Sequence, residues 1–164
     1  MAPRKFNSEI EVDDLDRWIF RENEITQNEI LAYFRQNLKQ TQTGIYIQNV
    51  FGELSEHGFV NVIGYPCHVL GIETKDGSIF FHCDDLKTFE FPDFEIYQTP
   101  KGELIGIHSE SPLIKYRFNW NAAGDLGEYL EEEGDATYLK IDDIYMELPI
   151  YLEAVSVPVP ISFD

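Results

Sequence analysis

Asp76-Gly77 is a preferred pair for the tight two-residue turn that joins antiparallel strands, and it stands between two runs of alternating apolar residues. A two-residue loop opposes Thr74 to Ile79, Ile72 to Phe81 and Leu70 to Cys83 on one apolar face. Gly71, Glu73 and Lys75 then face the other way with Ser78, Phe80 and His82. A three-residue loop would oppose Glu73 to Ile79 and Leu70 to His82, mixing the faces, so the shorter loop is the consistent register. The middle of the chain is thereby committed to antiparallel sheet.

Two further hairpins extend this pattern. Phe94 to Gln98 and Glu103 to Ile107 flank Pro100-Lys101-Gly102, where proline suits the first turn position and glycine the bulge. Thr137 to Ile141 and Ile144 to Leu148 flank Asp142-Asp143, pairing Ile141 with Ile144, Leu139 with Met146 and Thr137 with Leu148, while Tyr138, Lys140, Tyr145 and Glu147 face solvent. Arg17 to Phe20 reads as a short strand before a turn, Gly44 to Val50 as a strand, and Phe51 to Gly58 as a loop or bulged turn. Phe59 to Ile63 resumes extended structure, and Ser111 to Trp120 reads as one long strand.

Helices are expected at two places. Thr26 is a good cap, Glu29 completes a capping box, and Ile25 and Ile30 occupy staple positions; Ile30, Leu31, Phe34 and Leu38 share a face. Asp125 and Glu128 suggest a second, short helix over residues 125–133, with Leu126, Tyr129 and Leu130 inward and Gly134 as its stop. Glu131, Glu132 and Glu133 would then lie at a carbonyl end, where the dipole disfavours anions. The expected fold is α+β: a mostly antiparallel sheet or partly closed barrel with one capped N-terminal helix and a short second helix. One domain spans residues 1–164, with 1–14 and 155–164 as extended terminal segments; Pro158 and Pro160 keep the latter at an edge.

At 164 residues and 43% hydrophobic composition the chain can bury a core without staples, and its 12 Phe, 9 Tyr and 2 Trp make that core aromatic. Cys67 and Cys83 are too few for a disulfide framework and are expected as free, buried thiols. No apolar run approaches the ~18 residues of a membrane span, so a cytoplasmic protein is expected. A net charge of −18 repels phosphate and anionic headgroups, which argues against nucleic-acid and membrane partners. From Asn121 to Asp164 eleven acidic residues face one basic residue, Lys140, a net of −10.

No motif for chemistry emerges. Cys67-His68 and His82-Cys83 carry ligand types that suit zinc, but neighbouring strand residues point to opposite faces. In the register above Cys67 and His82 lie roughly 13 Å apart by the strand rise, and His68 and Cys83 roughly 7–8 Å. Ser55, Glu56 and His57 lie together in a loop without a nucleophile elbow. Asp84-Asp85, Asp142-Asp143 and Glu90 with Asp93 read as turn residues. Asp13, Asp14 and Asp16 lack the later glycine and glutamate of a calcium loop, and Gly52, Gly58 and Gly64 precede no helix that could hold phosphate. No catalytic residue, metal or cofactor is assigned.

The spacing of Trp18 and Phe20, Ile25, Ile30, Phe34 and Leu38, then Gly44, Tyr46, Ile47 and Asn49, and later Pro66, resembles the opening of a bacterial family, domain-of-unknown-function family 1285. The likeness covers about residues 15 to 72. The family's Thr-Pro-Val-Glu-Lys-like segment is replaced here by Asn49-Val50-Phe51-Gly52-Glu53. The resemblance implies an α+β fold with repeated structural units and a suggested role in signalling through ligand or partner binding; it carries over no catalytic residues.

The function expected from charge and absent chemistry is a non-enzymatic interaction or regulatory domain binding a basic protein. Its candidate contacts are Glu131, Glu132, Glu133, Asp135, Asp142 and Asp143, with Tyr138 and Tyr145 as aromatic anchors. The alternative is a small-molecule sensor or enzyme with an aromatic-lined pocket, His68 or His82 supplying polar groups.

Overall fold

The computed structural model describes residues 2–163. The chain divides into two compact units, one of Met1–Pro66, Ser111–Ile114 and Ala154–Asp164, the other of Cys67–Glu110 and Lys115–Glu153.

The first unit contains β1 (Arg4–Val12), β2 (Trp18–Phe20), β3 (Asn23–Glu24), α1 (Asn28–Gln36), β4 (Leu38–Gln40), β5 (Ile45–Phe51) and β6 (Leu54–Val62). Its sheet runs β3-β2-β1-β6-β5-β4, antiparallel except where β1 lies parallel to β6. The N-terminal segment is therefore central to this sheet. Val12, Trp18, Ile45, Ile47, Phe59 and Val60 fill its core.

The helix differs from its expected start and end. Gln27, not Thr26, is the cap, and no side chain bonds there; the helix stands on backbone bonds and on Phe34, whose ring stacks on Trp18 at 5.8 Å. Leu38 leaves the helix for β4, where it pairs with Ile47 and is buried, because the sheet offers it a fuller apolar contact than a short helix can. The segment 51–58 is not a loop: Gly52-Glu53 makes a two-residue turn, and Phe51 pairs with Leu54. In the C-terminal segment Val157 bridges Val62.

The second unit contains β7 (Cys67–Lys75), β8 (Ser78–Cys83), β9 (Thr88–Glu90), β10 (Phe94–Gln98), β11 (Leu104–His108), β12 (Lys115–Phe118), α2 (Trp120–Gly127), β13 (Leu130–Glu133), β14 (Ala136–Ile141) and β15 (Ile144–Glu147). Six strands form a sheet in the order β10-β11-β12-β7-β8-β9, again antiparallel except for one pair, β7 with β12; the last three strands form a separate sheet. Strand for strand this six-stranded sheet follows the path of the first unit's, a repetition that residue patterns along the chain do not display. The two helices and mostly antiparallel sheets are the expected α+β class.

Asp76-Gly77 takes the expected turn, with φ of 51° and 79°, and Thr74 opposes Ile79 and Ile72 opposes Phe81. Beyond Gly71, which opposes His82, a bulge at Leu70 shifts the ladder, so Val69 rather than Leu70 meets Cys83, and Leu70 turns outward. The 94–107 hairpin forms as expected, and its core position Gly106 admits the Phe94 ring where a β-carbon would stand 2.1 Å away.

The 111–120 region is not one long strand. Ser111 and Ile114 close a turn, the strand is limited to Lys115–Phe118, and Asn119 caps α2 by accepting the Ala122 amide at 2.8 Å. The expected helix over 125–133 is displaced accordingly: α2 ends at Gly127, and Glu131, Glu132 and Glu133 lie on a strand, free of any helix dipole conflict. The third hairpin has the expected register, with Ile141 opposite Ile144 and Leu139 opposite Met146.

Candidate functional site

The three-stranded sheet β13-β14-β15 carries most of the expected contact residues. Between Leu130 and Glu147 seven acidic residues stand against Lys140 alone, 1 minus 7, a net of −6. Register sorts them by face. Glu131 is opposite Tyr138, Tyr138 opposite Glu147, and Lys140 opposite Tyr145, so these side chains share the outer face, joined by Glu133. On the inner face Leu139, Ile141 and Leu148 are buried.

On the outer face Lys140 is held by three groups. Its Nζ donates to Glu131 Oε2 at 2.6 Å and to Glu133 Oε1 at 3.2 Å, and it lies 5.0 Å from the Tyr145 ring centroid. Tyr138 stacks on Tyr145 at 5.3 Å, and the Tyr145 hydroxyl donates to Glu133 Oε2 at 3.2 Å. The Glu131 hydrogen bond, with support from Glu133, raises the Lys140 pKa above the ordinary lysine range. Desolvation, with the hydrogen bond to Glu133 adding to it, raises that of Tyr145. Two carboxylates and a tyrosine ring thus surround one lysine of the same chain.

The remaining contact residues separate from it. Asp142 and Asp143 occupy the β14–β15 turn, and Asp135 the β13–β14 turn. Glu132 points away from its two neighbours into a cleft of about 620 Å³ between α2, the β10–β11 hairpin and β13–β14. Leu104, Phe118, Ala123 and Leu130 give that cleft apolar walls, Gln98, Glu103 and Thr137 supply polar groups, and Trp120 stands at its lip, 89% exposed. Glu103 pairs with Arg117. A second recess, about 280 Å³, shares Gln98, Gly102, Glu132 and Thr137 with the first and continues to Asp135. Glu132 and Asp135 have no cationic partner among the described residues. Trp120, expected at the end of a long strand, instead opens α2; the sequence signal for this is Asn119 followed by Ala122-Ala123, a cap before good helix formers.

His68 and His82 do not line this cleft. Asp84 accepts both the backbone amide and the ring Nδ1 of His68 at 2.8 Å, while His82 lies 3.1 Å from Glu73 and 3.0 Å from Thr88. Ser55, Glu56 and His57 sit on β6: Glu56 pairs with Arg4 at 2.9 Å and the His57 ring stacks on Tyr46 at 4.2 Å. Asp13 accepts from the Arg17 and Leu15 amides and the Arg17 guanidinium, and Asp16 from Tyr65, so these carboxylates serve loop structure. Cys67 and Cys83 are not joined in a disulfide, and both are buried. Among the described residues no group of three or more His, Cys, Asp or Glu side chains could hold a metal ion, and no helix is long and apolar enough to cross a membrane.

No family model matches the chain, and neither does any curated protein. Two solved structures share its fold. A DUF1285 family protein from Silicibacter pomeroyi DSS-3 superposes with a TM-score of 0.66 at 15% identity, covering 90% of this chain and 84% of that one. A DUF1285 family protein from Shewanella baltica OS155 gives a TM-score of 0.50 at 9% identity, covering 68% of this chain and 84% of that one. The family resemblance carried by the N-terminal residues thus has its counterpart in the fold.

Proposed function

We propose that this chain is a non-enzymatic interaction domain that binds a basic protein segment through the acidic surface of β13-β14-β15. The observation that carries this reading is the Lys140 arrangement: two carboxylates and a tyrosine ring already hold a lysine, on a sheet whose net charge remains −6. Charge of one sign over such an area steers an oppositely charged partner and discriminates against acidic ones. A regulatory or signalling role would be exercised through that partner. A cytoplasmic setting belongs to the same reading, since cysteines kept as thiols, as Cys67 and Cys83 are, persist there.

The test is a pull-down from host lysate with the native chain and with the Glu131→Gln/Glu133→Gln variant, washed at low and moderate salt. The reading expects a basic protein retained by the native chain at low salt, released as salt rises, and lost with the variant. Equal retention by both chains would make the surface merely solvating.

The second reading, a small-molecule sensor or enzyme, draws on the cleft beside Trp120 rather than on His68 and His82. Its volume lies within the range of ligand pockets, roughly 300–1,000 Å³. A stoichiometric metabolite in mass spectra of the purified chain would favour it.

A further inference from the structure

We infer that the cleft beside α2 receives an arginine of the basic segment, its guanidinium stacked on Trp120 and paired with Glu132; this rests on the docking role proposed for the acidic sheet. Three features of the cleft converge on that occupant. Its walls are apolar, which suits the methylene stem of a long cationic side chain. Trp120 offers an indole face at the lip, and a planar guanidinium stacks on indole while its donor fork matches a carboxylate. Glu132 is that carboxylate, since Glu103 already has Arg117. The adjoining recess leads to Asp135, so an extended segment can leave the cleft along a second unpaired carboxylate.

A fluorescein-labelled Gly-Arg-Gly-Arg-Gly peptide tests this, with its isosteric citrulline analogue as the neutral control. Tryptophan emission reads the site directly, because Trp18 is 1% exposed and Trp120 89% exposed. The arginine peptide should shield Trp120 from acrylamide quenching in a saturable way, and the citrulline peptide should not. By anisotropy, Trp120→Ala and Glu132→Gln should each weaken binding at least about fivefold, whereas Glu22→Gln/Glu24→Gln, a charge change in the other unit, should not. Trp120→Ala removes no buried contact, and an unchanged circular dichroism spectrum verifies that it is folded.

If both cleft variants bind like the native chain while Glu131→Gln/Glu133→Gln binds more weakly, the cleft assignment is overturned and the acidic-sheet reading survives. If none of the three weakens binding, both are overturned. Equal binding of the citrulline peptide would assign the cleft to a neutral ligand and overturn the inference.

Discussion

Tyr116 donates its phenolic hydroxyl to the carboxylate of Asp85, and both side chains are buried in the second unit. The other Asp85 oxygen accepts the Lys87 amide at 3.1 Å. Burial raises the pKa of Asp85 and, more strongly, that of Tyr116, so the pair joins a proton that stays with the phenol to a carboxylate that binds protons readily. Replacing Tyr116 with Phe leaves one Asp85 oxygen without its donor and should lower unfolding free energy by about 1–3 kcal/mol in urea titrations.

The same carboxylate predicts a pH dependence. Because its folded-state pKa lies above the ordinary value of 3.8, the folded chain holds this proton more tightly than the unfolded chain. That contribution to stability is complete below 3.8 and is lost as pH rises through the folded-state value. Asp85→Asn does not titrate, so its stability relative to the native chain should increase with pH across that window. Urea midpoints measured from about pH 4 to pH 7 provide the check; a constant difference would contradict the assignment.

Lys140 gives a third expectation. Its pKa is raised mainly by the hydrogen bond to Glu131, with Glu133 adding to it. In the Glu131→Gln/Glu133→Gln variant that value should fall toward the ordinary 10.5, and Lys140 should react with an amine reagent at lower pH. Residue-resolved mass spectrometry of the labelled chain reads this, whether or not a partner is found.

Gly106 carries a prediction about packing. A β-carbon there would meet two atoms of the Phe94 ring at 2.1 and 2.2 Å, and that ring is itself stacked on Phe89 at 5.0 Å. Gly106→Ala should therefore cost about 1–3 kcal/mol, or a drop of very roughly 2–12 °C in melting temperature. Gly124→Ala, where a β-carbon meets nothing within 4 Å, is the matched control.

The two thiols should be inert in the folded chain. Both are buried, and burial, with Asp85 and Asp84 adding to it, pushes the Cys83 thiol far above the range in which a thiolate forms. Neither should react with a thiol reagent until denaturant is added; rapid labelling of Cys83 in the native chain would contradict its burial.

Local turns were legible along the chain because their backbone angles are set by the residues that occupy them. Asp76-Gly77 accepts positive φ at both positions, and Asp142 does so at φ 47°, so the two hairpins and the alternation of Leu139 and Ile141 with Tyr138 and Lys140 follow from a few neighbouring residues. The acidic surface was legible for the same reason: its charges lie close together in sequence.

What only the tertiary structure decided depends on distant partners. Leu38 satisfies two local patterns, and the choice between helix and strand fell to Ile47, which opposes it on the neighbouring strand. The bulge at Leu70 turned that side chain outward, since a one-residue shift exchanges the faces of a strand. The parallel pairs β1–β6 and β7–β12, and with them the repeated sheet, join segments about 50 residues apart whose pairing no local turn specifies. Strand alternation then divided three consecutive glutamates, placing Glu131 and Glu133 around Lys140 and Glu132 in the cleft with Trp120.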